Sequence, residues 1–363
     1  MHRAVLVPCR GAAVLALASA CTGAPSESPV SGVTQAVTLT EVAGFANTPA
    51  LLGSVELVEG EQRSAIGIVN AFVMNQGDAW TVSAAYLDRF VDEQRLLSSG
   101  GDAAESEEQI SYLRYMSQAG RRLAEMHVAL ASGKDVPDFE PVAVTPEDFE
   151  FWIDDVMACV SRVFDAFRQP RRVFSEADRP LINQLLAEHA GLPDRLRALL
   201  PRDIDCLNIR HHGNLHLGQL LIVKDDIFII DFEGDSERSI AERRRKAPAA
   251  RDVAGLIRSI DCSTTATLER GLKATPDEHE KLANALEGWR DHATEAFLTA
   301  YSETVEGHGL WPSRADSAEK LLNFFLIEKA FHEIEHGLTR RPDWLRVPLT
   351  GMLRLLSPQS NEV

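Results

Sequence analysis

Residues 209–234 constrain this chain more than any other stretch. They read IRHHGNLHLGQLLIVKDDIFIIDFEG, two polar clusters joined by two short apolar runs. His212, Gly213, Asn214, His216 and Gln219 make the first cluster, and Asp231, Phe232 and Glu233 the second. Leu220–Val223 and Ile227–Ile230 are rich in β-branched residues, and Lys224-Asp225-Asp226 is a turn signal between them. The pattern predicts a tight hairpin that carries the chain out and back and brings Asp231 beside Gln219. A carboxylate and an amide brought together at strand ends suit a hard cation.

The order of these residues follows that of phosphoryl-transfer loops. In protein kinases a loop H-R-D-x-x-x-x-N supplies a base and, five residues later, a metal ligand; a following D-F-G supplies the metal-binding Asp. Here Gln219 stands five residues after Asn214, and Asp231-Phe232-Glu233 follows. The base position differs in kind, because the amide of Asn214 does not accept a hydroxyl proton near neutral pH.

On these residues the stretch resembles the bacterial maltokinases, which share the aminoglycoside-phosphotransferase-like fold and are often fused to trehalose synthase. Their loop reads H-G-D-x-H-L-G-Q and their metal motif D-F-E-G. The similarity continues through Ala241–Arg244 and Arg251–Ser259 downstream, and through Gly44–Pro49 and Gly77–Trp80 upstream, over roughly residues 44–357. The resemblance implies an α+β, protein-kinase-like fold with a remnant N-terminal β lobe and a mostly helical C-terminal lobe. The expected division is residues 1–43, unmatched and signal-like or disordered; residues 44–80, a remnant of the N-terminal lobe with the hinge; and residues 81–363, the helical lobe carrying the hairpin 209–234. The implied reaction is ATP plus maltose giving maltose 1-phosphate and ADP, with ATP and Mg²⁺ as cofactors, in α-glucan and trehalose metabolism. Trehalose synthase is the implied protein partner. Two alternatives stay open: a catalytically dead pseudokinase or sugar-binding scaffold, and a kinase of aminoglycosides or other small hydroxylated molecules.

The resemblance also implies roles. Gln219 and Asp231 would hold the metal, with Glu233 beside them. Asn214 would orient the acceptor hydroxyl, His212 would brace the loop, and Asp252 would fix the loop while serving as a first-turn acid of its own helix. His216 would meet a sugar hydroxyl or make a structural hydrogen bond. Val69, Ala71 and Val73 would form the hinge that lends backbone groups to adenine. Glu328 and Trp344 would contact the sugar. Two features point to impaired activity. One is Asn214 in the base position. The other is that residues 1–43 contain no lysine, so the family's phosphate-binding Lys has no counterpart.

The rest of the chain sets bounds. A net charge of −17 argues against nucleic acid as a partner. No run approaches 18 uninterrupted apolar residues, so no membrane span is expected. The five cysteines are scattered without a C-x-x-C pair, which fits a reducing, cytoplasmic setting. Arg3, Arg10, the apolar Gly11–Ala20 and Ala-Ser-Ala before Cys21 have the outline of a secretory signal and leave export open. Leu52–Leu57 and Ala65–Val73 read as a hairpin. Helices are expected at 81–97, 109–130, 145–168, 177–200 with a break near Gly191-Leu192-Pro193, 252–263, 277–304, 315–338 and 347–356. His127 ends one of them and reads as a packed histidine. His332 and His336 stand four apart, a metal spacing for which the sequence offers no third ligand.

Overall fold

The computed structural model describes residues 3–8, 35, 38–59, 62–96, 107–133, 137–200, 204–274 and 278–357. Three antiparallel strands form the N-terminal sheet in the order β1 (Arg3–Pro8), β2 (Leu51–Glu59), β3 (Gln62–Asn70). The β2–β3 hairpin is the one read from alternation, with Leu51 opposite Asn70 and Glu59 opposite Gln62. β1 corrects the expected division at residue 43: Arg3 pairs with Val58 and Pro8 with Gly53, so the sheet begins well ahead of Gly44. Gln35 and Leu39 are also packed, and the Gln35 amide donates to the His211 carbonyl at 2.7 Å. The signal-like stretch 9–21 lies outside the described residues.

The body is helical. In chain order it comprises α1 (Ala79–Leu96), α2 (Glu107–Ala131), α3 (Pro146–Arg168), α4 (Arg179–Ala187), α5 (Leu192–Ala198), α6 (Ile240–Arg244), α7 (Ala250–Ala274), α8 (His279–Val305), α9 (Ala315–Arg340) and α10 (Arg346–Leu356). α3 starts as its sequence dictates. Thr145 is the N-cap, Pro146 follows it, and Asp148 completes a capping box, giving three first-turn amides or donors a local partner. The break near Pro193 is present, with one turn of 3₁₀ helix at Glu188–Ala190 between α4 and α5. α7 runs a full turn and more beyond the expected end at Ser263, because Thr264, Thr265 and Thr267 are buried there rather than solvated.

One apolar core runs through this body. α2 lies against α8 closely enough that a side chain on Gly120 would strike the Phe297 carbonyl. Tyr86, Tyr112 and Trp289 stack where α1, α2 and α8 meet, with ring centroids 4.6 and 5.1 Å apart. On the other side, Trp152 of α3 packs on Phe325 of α9 at 5.3 Å. Burying such a large side chain is worth roughly 1.5–3 kcal/mol, so the α3–α9 contact anchors the C-terminal helices. Cys159, Cys206 and Cys262 are buried and unpaired with one another, and burial raises their thiols, that of Cys206 to about 12. Among the described residues no helix is long and apolar enough to cross a membrane.

Two small β elements complete the fold and position the loop. β4 (Val142–Ala143), β5 (Leu207–Ile209) and β8 (Ala247–Pro248) form a short sheet that leads into residue 210. β6 (Leu220–Val223) and β7 (Asp226–Ile229) form the expected hairpin, with Leu220 opposite Ile229 and Val223 opposite Asp226. Lys224 and Asp225 make its two-residue turn, Lys224 at φ +56°. Inward Leu220, Ile222, Ile227 and Ile229 are buried, so the two-residue period fixes which face meets the core.

Candidate active site

The hairpin delivers its two ends together. Gln219 Nε2 donates to Asp231 Oδ2 at 2.8 Å, the juxtaposition expected from the strand pattern. Asp231 is exposed and sits at φ +66°, a left-handed conformation that an aspartate tolerates at a cost of order 1 kcal/mol and that clusters at functional sites. The donor set here is oxygen-rich. A cation between the two side chains needs the Gln219 amide turned so that Oε1 faces it, a rotation that costs little for a side-chain amide. With that rotation the pair fits a hard cation such as Mg²⁺. Glu233 is half-buried, and its carbonyl accepts from Arg243 at 3.2 Å.

The loop before the hairpin is held by a buried carboxylate. Asp252, 2% exposed at the start of α7, accepts the backbone amides of His212 at 2.6 Å and Gly213 at 2.9 Å. His127 Nε2 donates to the same carboxylate at 3.1 Å, and His127 Nδ1 meets the Tyr301 hydroxyl at 2.9 Å. Burial alone would push the Asp252 carboxyl up; the His127 hydrogen bond and the neighbouring imidazoles hold it well below the usual range. His212 is buried and donates from Nε2 to the Ile230 carbonyl at 2.9 Å, tying the loop to the residue between β7 and Asp231. Gly213, at φ +81°, lies against Gly234, so the loop and the D-F-E-G segment meet backbone to backbone.

His216 caps the one-turn 3₁₀ helix Leu217–Gln219. Its Nδ1 accepts from Gly218 N at 3.1 Å, which leaves the proton on Nε2 as a donor. Burial, with the charge of Lys329 adding to it, pushes its pKa down to about 4. Burial likewise pushes the neighbouring His211 down to about 4.

Asn214 opens into a pocket lined also by Gly213, Asp235, Arg238, Glu328 and Lys329. Glu328 is 3% exposed and pairs with Arg251, with Arg238 3.8 Å away. Arg238 also reaches Asp155 at 3.2 Å and donates to His332 Nε2 at 2.7 Å. Burial and these guanidinium groups hold His332 well below its ordinary pKa. The structure thus gives His332 close neighbours, Cys159 and Glu335 on one side and Asp155 and Glu328 on the other, while His336 turns to Glu237. These acids are already neutralised by Arg162, Arg238 and Arg251.

Two expectations are corrected. Trp344 does not line the Asn214 pocket. It packs on Trp80 at 6.0 Å, under Arg341, and borders a separate groove with Phe174, Glu269 and Arg346. At the expected hinge, Val69 is paired in β3, and the Ala71 amide donates to the Ala50 carbonyl at 2.8 Å. The Val73 carbonyl accepts from the Asn75 side chain at 2.9 Å. Ala71 therefore has no spare N–H for a ligand. The segment still joins sheet to helices: Gln76 N donates to Ile222 O, Ile222 N to Gly77 O, and Asp78 bridges Leu221.

Sequence reasoning missed Tyr301, Asp155, Asp235 and Lys329. Tyr301 lies on a helix face whose periodicity reads simply as core. Asp155 lies on a helix whose charged face demands no chemical role, and Lys329 falls in the string Phe325–Ala330 without a role of its own. Asp235 was detectable, since it directly follows the D-F-E-G string.

No protein-family model matches the chain. It is similar to a glucosamine kinase from Streptacidiphilus jiangxiensis, 26% identical over 342 residues, covering 90% of this chain and 66% of that protein. It is also similar to a glucosamine kinase from Mycolicibacterium smegmatis (strain ATCC 700084 / mc(2)155), 27% identical over 146 residues, covering 40% of this chain and 34% of that protein. The chain thus spans just under two thirds of the first relative and about a third of the second. Among solved structures it resembles a glucosamine kinase in complex with glucosamine, ADP and inorganic phosphate. The TM-score is 0.71 at 22% identity, over 92% of this chain and 74% of that one. A second crystal form of a glucosamine kinase gives the same TM-score and identity over 97% and 80%. The fold is α+β and kinase-like, as in those glucosamine kinase structures, with a small sheet ahead of a mostly helical body.

Proposed function

We propose that the chain is an ATP-dependent phosphotransferase acting on a sugar hydroxyl, with turnover limited by Asn214. The observation that carries this reading is the pairing of Gln219 with an Asp231 held at positive φ, on a loop fixed by Asp252. Gln219 and Asp231 would hold Mg²⁺; when bound, the ion neutralises charge on the nucleotide phosphates. Phosphoryl transfer asks the protein chiefly for positioning and charge stabilisation. His212 and Asp252 set the loop. His216 donates from Nε2 toward an acceptor hydroxyl. Asn214 orients that hydroxyl without taking its proton. Glu328, braced by Arg251, accepts from sugar hydroxyls in the same pocket. Val69 and Val73 flank the nucleotide side, where the connection from sheet to helices runs.

For the acceptor we infer maltose, on the string shared with maltokinases from Gly44 to Leu356; the relatives named glucosamine kinases make glucosamine the competing sugar. A trehalose synthase partner and a cytoplasmic setting go with the maltose reading. One observation favours a second reading, a sugar-binding pseudokinase: the base position is an amide, Asn214.

Calorimetry with Mg·ATP, maltose and glucosamine separately tests the proposal, followed by a coupled ADP assay. Binding of nucleotide and one sugar with slow turnover supports the phosphotransferase; sugar without nucleotide supports the pseudokinase; neither refutes both.

A further inference from the structure

We propose that Lys329 is the cation that meets the transferring phosphoryl group, a reading that rests on the phosphotransferase function proposed above. Kinases of this architecture need positive charge at the phosphoryl group. Strands β1, β2 and β3 carry no lysine among the described residues. The pocket beside Asn214 supplies three cations, and two are committed. Arg251 is bound to Glu328, and Arg238 to Asp155 and His332. Lys329 lines the same pocket, half-buried, with neither an ion pair nor a hydrogen bond among the described residues.

An ammonium kept half out of water without a partner carries a desolvation cost that an anion would relieve. The surroundings favour an anion at this end of the pocket. The Glu328 carboxylate one residue earlier is engaged by Arg251, and Asp235 accepts the Glu237 amide at 3.0 Å. Lys329, on α9, shares its pocket with Gly213, Asn214 and Leu215, which sets it beside the loop that leads to His216 and Gln219.

In the transfer, the acceptor oxygen forms its bond to the γ-phosphorus. The bond from that phosphorus to the β–γ bridging oxygen breaks, and its electron pair leaves on ADP. The hydroxyl proton passes to water. Lys329 neutralises charge on the phosphoryl oxygens while Asn214 holds the hydroxyl. A cation at this position offsets part of what the amide at Asn214 lacks.

The test compares the native chain with Lys329→Met and Lys329→Arg, each checked for native circular dichroism. Calorimetry measures Mg·ADP binding, then inorganic phosphate binding with and without Mg·ADP. We expect Lys329→Met to weaken phosphate about ten-fold or more while Mg·ADP affinity stays within two-fold, and Lys329→Arg to keep phosphate binding within a few-fold. In turnover, Lys329→Met lowers kcat by about 10²-fold at unchanged KM for ATP. Phosphate bound equally well by the native chain and Lys329→Met, or by neither, overturns the assignment. Phosphate binding that depends on Lys329 in a chain that fails to bind Mg·ADP overturns the phosphotransferase reading and leaves the anion site standing.

Discussion

His127 donates from Nε2 to the carboxylate of Asp252 across 3.1 Å of the core, and that carboxylate in turn holds the amides of His212 and Gly213. Three donors converge on one buried acid. Replacing it with Asp252→Ala strands two backbone amides and an imidazole, a loss of about 3–5 kcal/mol in urea unfolding. Because the folded carboxyl lies below its ordinary value of about 3.9, its contribution is complete above that pH and disappears as pH falls below it. The native chain should therefore lose more stability between pH 5 and about 2 than Asp252→Ala, measured by denaturant titration at each pH.

A second acid-sensitive window lies higher. His211 and His216 are held near 4 by burial, against about 6.5 when unfolded. Between those values the unfolded state binds more protons, so stability rises with pH there and is level above about 7. Each group contributes a slope of at most about 1.4 kcal/mol per pH unit. Substituting His211→Phe should flatten part of this window in thermal melts from pH 4 to 7; an unchanged slope would refute the assignment.

Restoring a carboxylate at the base position is the direct test of what limits turnover. Asn214→Asp should raise kcat by about 10²-fold, the lower end for general base catalysis, with little change in KM for either substrate. A coupled ADP assay reads it. No increase would mean that nucleotide positioning, not proton transfer, is the step that fails.

Gly255 of α7 lies directly under the loop. A methyl group there would stand 2.7 Å from the Leu215 carbonyl, which is backbone and has no side-chain freedom to yield. Gly255→Ala should cost about 1–3 kcal/mol in unfolding. It should also depress sugar binding more than Mg·ADP binding, since Leu215 adjoins Asn214. Paired calorimetric titrations separate the two effects.

Much of the site was readable before the fold was known, for local reasons. The hairpin follows from two β-branched runs and a turn, and a period of two then puts Gln219 against Asp231. Asp252 was readable only through the family resemblance, since a first-turn acid serves its own helix equally well. The failures are tertiary. Trp344 was expected to contact the sugar because the resemblance puts the sugar pocket in the last helices and aromatic faces suit pyranose rings, yet its partner Trp80 is remote in sequence. Arg3–Pro8 looked like the basic start of a signal, and only pairing with β2 makes it a strand. Lys329 sits in a helix rich in apolar residues, and its isolation among committed arginines appears only when α3, α7, α9 and the segment before α6 are assembled.

The β6–β7 hairpin is fastened on three sides. Ile222 exchanges hydrogen bonds with Gln76 and Gly77, Ile229 donates to the Asn47 carbonyl at 2.9 Å, and Asp226 is gripped by Arg122 at 2.8 Å and Gln118 at 2.8 Å. Its base, opposite the Lys224–Asp225 turn, carries Gln219 and Asp231. The hairpin therefore works as a lever whose fulcrum is shared by the sheet connection and α2. On the phosphotransferase reading proposed above, nucleotide entry and the grip on its metal would then share one structural part, since the contacts that hold the hairpin to the sheet connection also hold the segment that carries those two side chains.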